Sequence, residues 1–294
     1  MSERMLYRYL DLRGFLALIT QSQEMFVHPY TWRDKYEGYL FGQLADRDVC
    51  RRIIQHYLTQ ISKCENQNDA ANAVLHYMRL LFASRHYYGK CWTTLAESDA
   101  MWRIYGDGGQ GVRICVSENT LRSIVTKIPG YEINIEDVVY DLQETDDLGQ
   151  KQIEQMAEED SILQPYFHKR PAFEHEKEVR AIITTASHRA FENVEKAFYF
   201  GKQKFQECAN QEEWIEEILR HLPGLREEIC KREGKKDDCL LIPIPNLAEY
   251  LVSVEVHPLA EPWHVESIQK LCGEYGVRCI GQSLLYRDPR AKKD

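Results

Sequence analysis

Apolar side chains recur along this chain at two spacings, and each change of spacing marks an element. A short run over Leu6 to Tyr9 reads as a strand, and Phe15, Leu16 and Ile19 behind it have the spacing of a short helix. The apolar run MFVHP closes at Pro29, and the polar, aromatic stretch TWRDKYEG reads as a loop ending at Gly38. Between Asp46 and Ser84, one helical face is set by Val49, Ile53, Ile54, Tyr57, Leu58 and Ile61. Residues 70–82 set a second, so a helical hairpin is expected there.

The middle of the chain alternates. YYGKCWT reads as a strand, SDAMWRIYGD as a helix opened by Ser98, GVRICVS as a strand and residues 117–125 as a short helix. EDVVYD is expected to be a strand, and the acidic stretch 145–167 a helix with one solvated face. FEHEKEVRAIITT passes from a charged entry into an apolar strand. Trp214, Ile215, Ile218, Leu219 and Leu222 share a helical face, so residues 186–236 read as a helical insertion, a lid or subdomain. Three further strands, LLIPIP, LVSVEVHP and RCIGQSLLY, flank a helix at 263–275. This mixture lacks regular βαβ alternation and predicts an α+β fold: one domain over 1–294, helices outweighing strands, around a central, mostly antiparallel sheet that is continuous or split. No repeat, low-complexity tract or linker divides it.

Composition narrows the function classes. Of 294 residues, 44% are apolar and 28% charged, which supports a packed core. The net charge of −9 counts against nucleic acid as the main partner, because that affinity comes from neutralising phosphates. No apolar run reaches the roughly 18–20 residues of a membrane helix, and the N-terminus is unlike a signal peptide, so no membrane partner and a cytoplasmic location are expected. Nine cysteines, an odd number with no CxxC pair, read as thiols, and no metal is expected.

Rossmann, P-loop, zincin and hydrolase-elbow motifs are missing, and GDGGQG at 106–111 precedes a strand, so it reads as a tight turn. The order of LYRYL, WRDKYE, CWT, MWRIYGDGGQGVRI, VVY, EHEKEVR and VHPLAEPW…YGVRCIGQSLL resembles the bacterial domain-of-unknown-function family numbered twenty-nine seventy-one. It departs at Lys35, Phe173 and Thr93, where that family has Pro, Trp and Ser. An arginine on the first strand, a hydroxyl on a central one and an E-x-E on a later one is also similar to ADP-ribosyltransferases of the Arg-Ser-Glu type. That resemblance implies NAD as substrate, a macromolecular acceptor and a toxin or phage-defence role. In it Glu178 or Glu176 steadies the oxocarbenium-like sugar, Arg8 holds the pyrophosphate, Thr93 positions the glutamate and Tyr105 stacks on nicotinamide, with Arg180 and Trp102 beside the cofactor.

Strand periodicity puts Glu176, Glu178 and Arg180 on one face. Set against catalysis is an ion-pair network of these glutamates with Arg180, Arg8 and Lys177, which would fit a non-enzymatic module binding a ligand or protein. His28, Asp34 and Glu37 in the aromatic loop invite a third reading, a metal-dependent nuclease or phosphohydrolase. Alternatively Asp34 caps the following turn and Glu37 pairs with an arginine.

Overall fold

Among the described residues, nine strands join in one sheet that forks at its third strand. The computed structural model describes residues 3–60, 67–145, 147–158, 161–185, 188–233 and 237–290. In chain order the elements are β1 (Met5–Leu10), α1 (Leu12–Gln21), β2 (Gln23–Val27), α2 (Tyr39–Gly42), α3 (Arg47–Gln60), α4 (Gln67–His86), β3 (Tyr87–Thr93), α5 (Asp99–Tyr105), β4 (Val112–Ser117) and α6 (Glu118–Thr126). There follow β5 (Tyr131–Asp137), α7 (Leu148–Glu158), β6 (Glu178–Thr185), α8 (His188–Glu207), α9 (Gln211–Glu233), β7 (Cys239–Pro243), α10 (Leu247–Tyr250), β8 (Ser253–Val256), α11 (Pro262–Glu274) and β9 (Cys279–Gln282). The expected mixed fold with more helix than strand and a mostly antiparallel sheet is observed. Helix starts follow side-chain chemistry: Asp11 accepts the Gly14 N–H at 2.7 Å, and Ser98 accepts that of Met101.

The main path of the sheet runs β5-β6-β3-β1-β4-β8-β9, and β2 with β7 forms a side arm. All pairs are antiparallel except β8 with β9. The fork arises because β3 meets β2 at Gly89 and β1 only at Thr93. One face of the sheet carries Leu6, Trp92, Ile114, Val179 and Ile183 against α1, α6 and α11. The other carries Tyr87 and Ile182 against α3, α4 and α7. Trp214, Ile215, Ile218, Leu219 and Leu222 of α9 are buried in that same cluster, so α9 contributes to this core. The expected insertion's ends, 186–187 and 234–236, lie outside the described residues, as does Cys64.

Three elements differ from expectation, two of them for want of a partner strand. The β5 strand is YEINIED and stops at Asp137, so VVYD is not strand. Its partner β6 begins at Glu178, and beyond that only the Val139–His168 bridge forms. Likewise β9 ends at Gln282 because β8 ends at Val256. The helix expected over 145–167 is described only over Leu148–Glu158, and Pro165 opens a short 3-10 turn after it.

Gly89 is the one position on β3 where the approaching chain forbids a side chain: a Cβ there would meet Trp32 at 2.4 Å and Ile182 at 3.1 Å. Gly89→Ala is expected to cost about 1–3 kcal/mol by overpacking and to shift tryptophan emission as Trp32 moves. A urea melt and emission spectrum matching wild type would show that Trp32 tolerates the methyl group.

Candidate functional site

Paired residues of antiparallel strands share a face, so the register of β3 sorts the polar residues into two groups. Cys91 faces Arg180 and Thr93 faces Glu178, with Tyr7 beside Thr93 on the same side. Lys90, Trp92 and Arg8 point to the opposite side. Arg8 is therefore separated from Glu178 and Thr93 by the sheet itself, and the expected constellation of Arg8, Thr93 and Glu178 in one pocket is not formed.

Arg180 lies in mid-strand with no solvent exposure. Its Nε donates to Glu178 at 2.7 Å, Nη2 to Glu37 at 2.6 Å, and Nη1 to the Tyr166 carbonyl, while the Trp32 ring covers the guanidinium at 4.2 Å. Lys169 extends the network to Glu176 at 2.6 Å, Glu178 at 2.9 Å and Glu37 at 3.5 Å. Sequence reasoning missed Lys169 altogether and assigned Lys177 and Arg8 in its place. Lys177 in fact pairs with Glu174, and Arg8 with Glu24. The HKR run before Pro171 was the available signal, but nothing local says which of its side chains turns inward.

Glu176 reaches the network by a route the strand pattern did not anticipate. Residues Pro171–Glu176 form a 3-10 turn, and Lys177 is left-handed at φ 41°, so Glu176 stands outside β6. Its carboxylate accepts from Tyr105 Oη at 2.8 Å as well as from Lys169. Thr93 Oγ1 donates to the Glu176 carbonyl at 2.6 Å and accepts from the Leu95 N–H, so it ties β3 to this turn. Tyr105 is 40% exposed, whereas Trp102 is fully buried on Tyr9 and His257. Cys91 is exposed, and its thiol is hydrogen-bonded to Glu178.

The electrostatics follow from the count: three carboxylates, Glu37, Glu176 and Glu178, meet two cations. Burial pushes Glu178 up, but Arg180 and Lys169 outweigh it and bring the carboxyl down to about 2. Burial lowers Lys169, yet the three glutamates hold it well above the ordinary lysine value, so it stays an ammonium. Glu37 is raised, because its burial exceeds the pull of Arg180 and Lys169.

Glu37 also lines a cavity of about 300 Å³ with His28, Tyr30, Asp34, Phe41, Ser84 and Tyr166. Asp34 accepts the Tyr36 N–H at 3.1 Å and Arg170 Nε at 3.0 Å, and His28 Nδ1 accepts the Tyr30 N–H. Among the described residues, His28, Asp34 and Glu37 do not gather as a metal cluster. On the far face Glu24, fully buried, holds Arg8 at 2.7 Å, Lys90 at 2.6 Å and the Tyr250 hydroxyl at 2.9 Å. Burial opposes its ionisation, but Arg8 and Lys90 bring it down to about 2. Burial and Arg8 lower Lys90 to about 8.

Residues 101–181 match the family model described as Protein of unknown function (DUF2971), which supports over that stretch the family resemblance read from the motif order. The matched stretch runs from α5 into β6 and holds Tyr105, Lys169, Glu176, Glu178 and Arg180, but not Arg8 or Glu37. No curated protein and no solved structure matches the chain.

Double-mutant cycles test this geometry. Lys169→Met is expected to cost about 3–5 kcal/mol by leaving buried carboxylates short of a cation. It should couple to Glu178→Gln by about 0.5–3 kcal/mol and add to Arg8→Met within about 0.5 kcal/mol, since the sheet separates the latter pair. Strong coupling to Arg8 would contradict the two-face arrangement. For pH, Glu24 and Glu178 have depressed values, so the stability they contribute is complete above the ordinary glutamate range and lost as pH falls through about 2. Each contributes on the order of 3 kcal/mol at neutral pH. Urea melts from pH 6 down to pH 2 should show this loss, and a flat profile would refute it.

Proposed function

We propose that this chain is a ligand-binding module that takes a small organic cation, or a ring bearing N–H donors, in the cavity beside Glu37. The carrying observation is the pairing of that cavity with a buried carboxyl of raised proton affinity that is part of a charged network. A volume of about 300 Å³ is at the lower end of small-molecule sites. Tyr30, Tyr39, Phe41 and Tyr166 supply aromatic walls, which suit a flat or cationic group. Lys35 donates to the Tyr30 and Trp32 carbonyls, and Glu37 shares the polar lining of the cavity with His28, Asp34, Gln43 and Ser84.

This reading is preferred over NAD glycosyl transfer on two grounds. Arg8 is across the sheet, engaged with Glu24, and the Glu178 oxygens are taken by Arg180 and Lys169. What supports the transferase reading is narrower: Thr93, Glu176 and the half-exposed Tyr105 do meet at one place.

Benzamidine serves as a flat cationic probe. Its binding ionises Glu37, so affinity rises as pH is raised through the folded-state value of that group, and a proton is released. Calorimetry in two buffers of different ionisation enthalpy reads that proton. Glu37→Gln is expected to weaken binding at least tenfold and to abolish the release. Failure of benzamidine to bind, or unaltered binding by Glu37→Gln, would sink the module reading at this cavity. Free nicotinamide appearing from NAD in the presence of the protein, and lost in Glu176→Gln, would establish the transferase reading instead.

A further inference from the structure

The described residues contain eight free cysteines. Six of these sit apart from the feature that follows, in which two cysteines come together. Cys272 is in the last turn of α11 and fully buried, and Cys279 opens β9 and is half-buried. The connecting turn folds tightly back, with the Val277 and Tyr275 N–H groups both donating to the Cys272 carbonyl, at 2.8 and 3.2 Å. Val254 of β8 pairs with Cys279, and α11 packs on both β8 and β9. The two residues therefore meet the same apolar cluster from adjacent elements, the end of α11 and the start of β9.

We propose that Cys272 and Cys279 are a disulfide-forming pair, a modification site that reacts with hydrogen peroxide. The division of labour follows from exposure: Cys279 is the less buried of the two and the one that meets the oxidant, and Cys272 is the buried partner that resolves it. In the first step the Cys279 thiolate attacks a peroxide oxygen. The O–O bond breaks, sulfur is oxidised to a sulfenic acid, and the departing hydroxide takes up a proton to leave as water. In the second, the Cys272 sulfur attacks that of Cys279, the S–S bond forms, and the sulfenic hydroxyl leaves as a second water with the Cys272 proton. Two thiols and one peroxide thus yield one disulfide and two waters. The electrostatics agree with this order: the neighbouring Cys272 thiol and the Gly281 N–H hold Cys279 below the ordinary thiol value against burial and Glu255, while the Cys279 thiol and burial raise Cys272.

The full chain treated with hydrogen peroxide and alkylated under denaturing conditions is the test. Peptide mapping should show the Cys272 and Cys279 peptides cross-linked, and dithiothreitol should restore both thiols. Cys272→Ser should stop the reaction at Cys279 sulfenic acid, trapped by dimedone, and Cys279→Ser should leave Cys272 unoxidised. Circular dichroism of both variants shows whether they are folded. Should either fail to fold, the wild-type map alone decides, since it needs no substitution. Cys279 over-oxidised or dimedone-labelled in wild type with Cys272 still a thiol overturns the proposal, as does a cross-link that joins either cysteine to another.

Discussion

A guanidinium with no solvent access, set in the middle of a β-strand, is the constraint around which this structure is arranged. An isolated charge so placed costs several kcal/mol, so Arg180 requires carboxylates brought to it from elsewhere in the chain. Glu178 is available two residues away, but Glu37 comes from a loop 143 positions earlier. For that loop to arrive, Trp32 must lie flat over β3, which is why the strand carries glycine at position 89. The Tyr166 carbonyl supplies a further acceptor, and its 3-10 turn is held by the same requirement. Loop, turn and strand are thereby set relative to one another by the needs of one side chain.

Lys169 adds a second cation to this compensation, in reach of Glu37, Glu176 and Glu178. Three carboxylates surround two cations, and Glu37, the one whose proton affinity burial raises, lines the cavity as well as the network. A group shared in this way links the protonation of the buried cluster to whatever occupies the cavity. A fully balanced cluster would have had no such linkage and would have been structural only.

The fork in the sheet poses a second charge problem, solved separately on the other face. Where β1 and β2 diverge from β3, Glu24 is enclosed, and Arg8, Lys90 and Tyr250 close round it. Consecutive residues of β3, Lys90 and Cys91, therefore belong to two ionic groups standing back to back. The arginine of the first strand closes the fork and does not face a cleft with Glu178.

Most elements were legible because helix and strand periods, N-caps such as Asp11 and Ser98, and Gly or Pro boundaries depend on neighbours a few positions apart. The importance of Glu37, Glu176, Glu178 and Arg180 was legible too, since charged side chains at the mouth of an apolar strand must find partners. Their partners were not. Alternation placed Glu176 on the strand, but a left-handed Lys177 breaks the alternation there, and the local sequence does not announce it. Lys169, Glu24 and the opposed faces of Arg8 and Glu178 depend on which strands pair and in what register, and the run VVYD fails as a strand because β6 offers no edge beyond Glu178. The sequence by itself determined the elements and the residue types that had to be neutralised. Only the tertiary structure decided which charge neutralises which, because burial and pairing are set by residues more than a hundred positions apart.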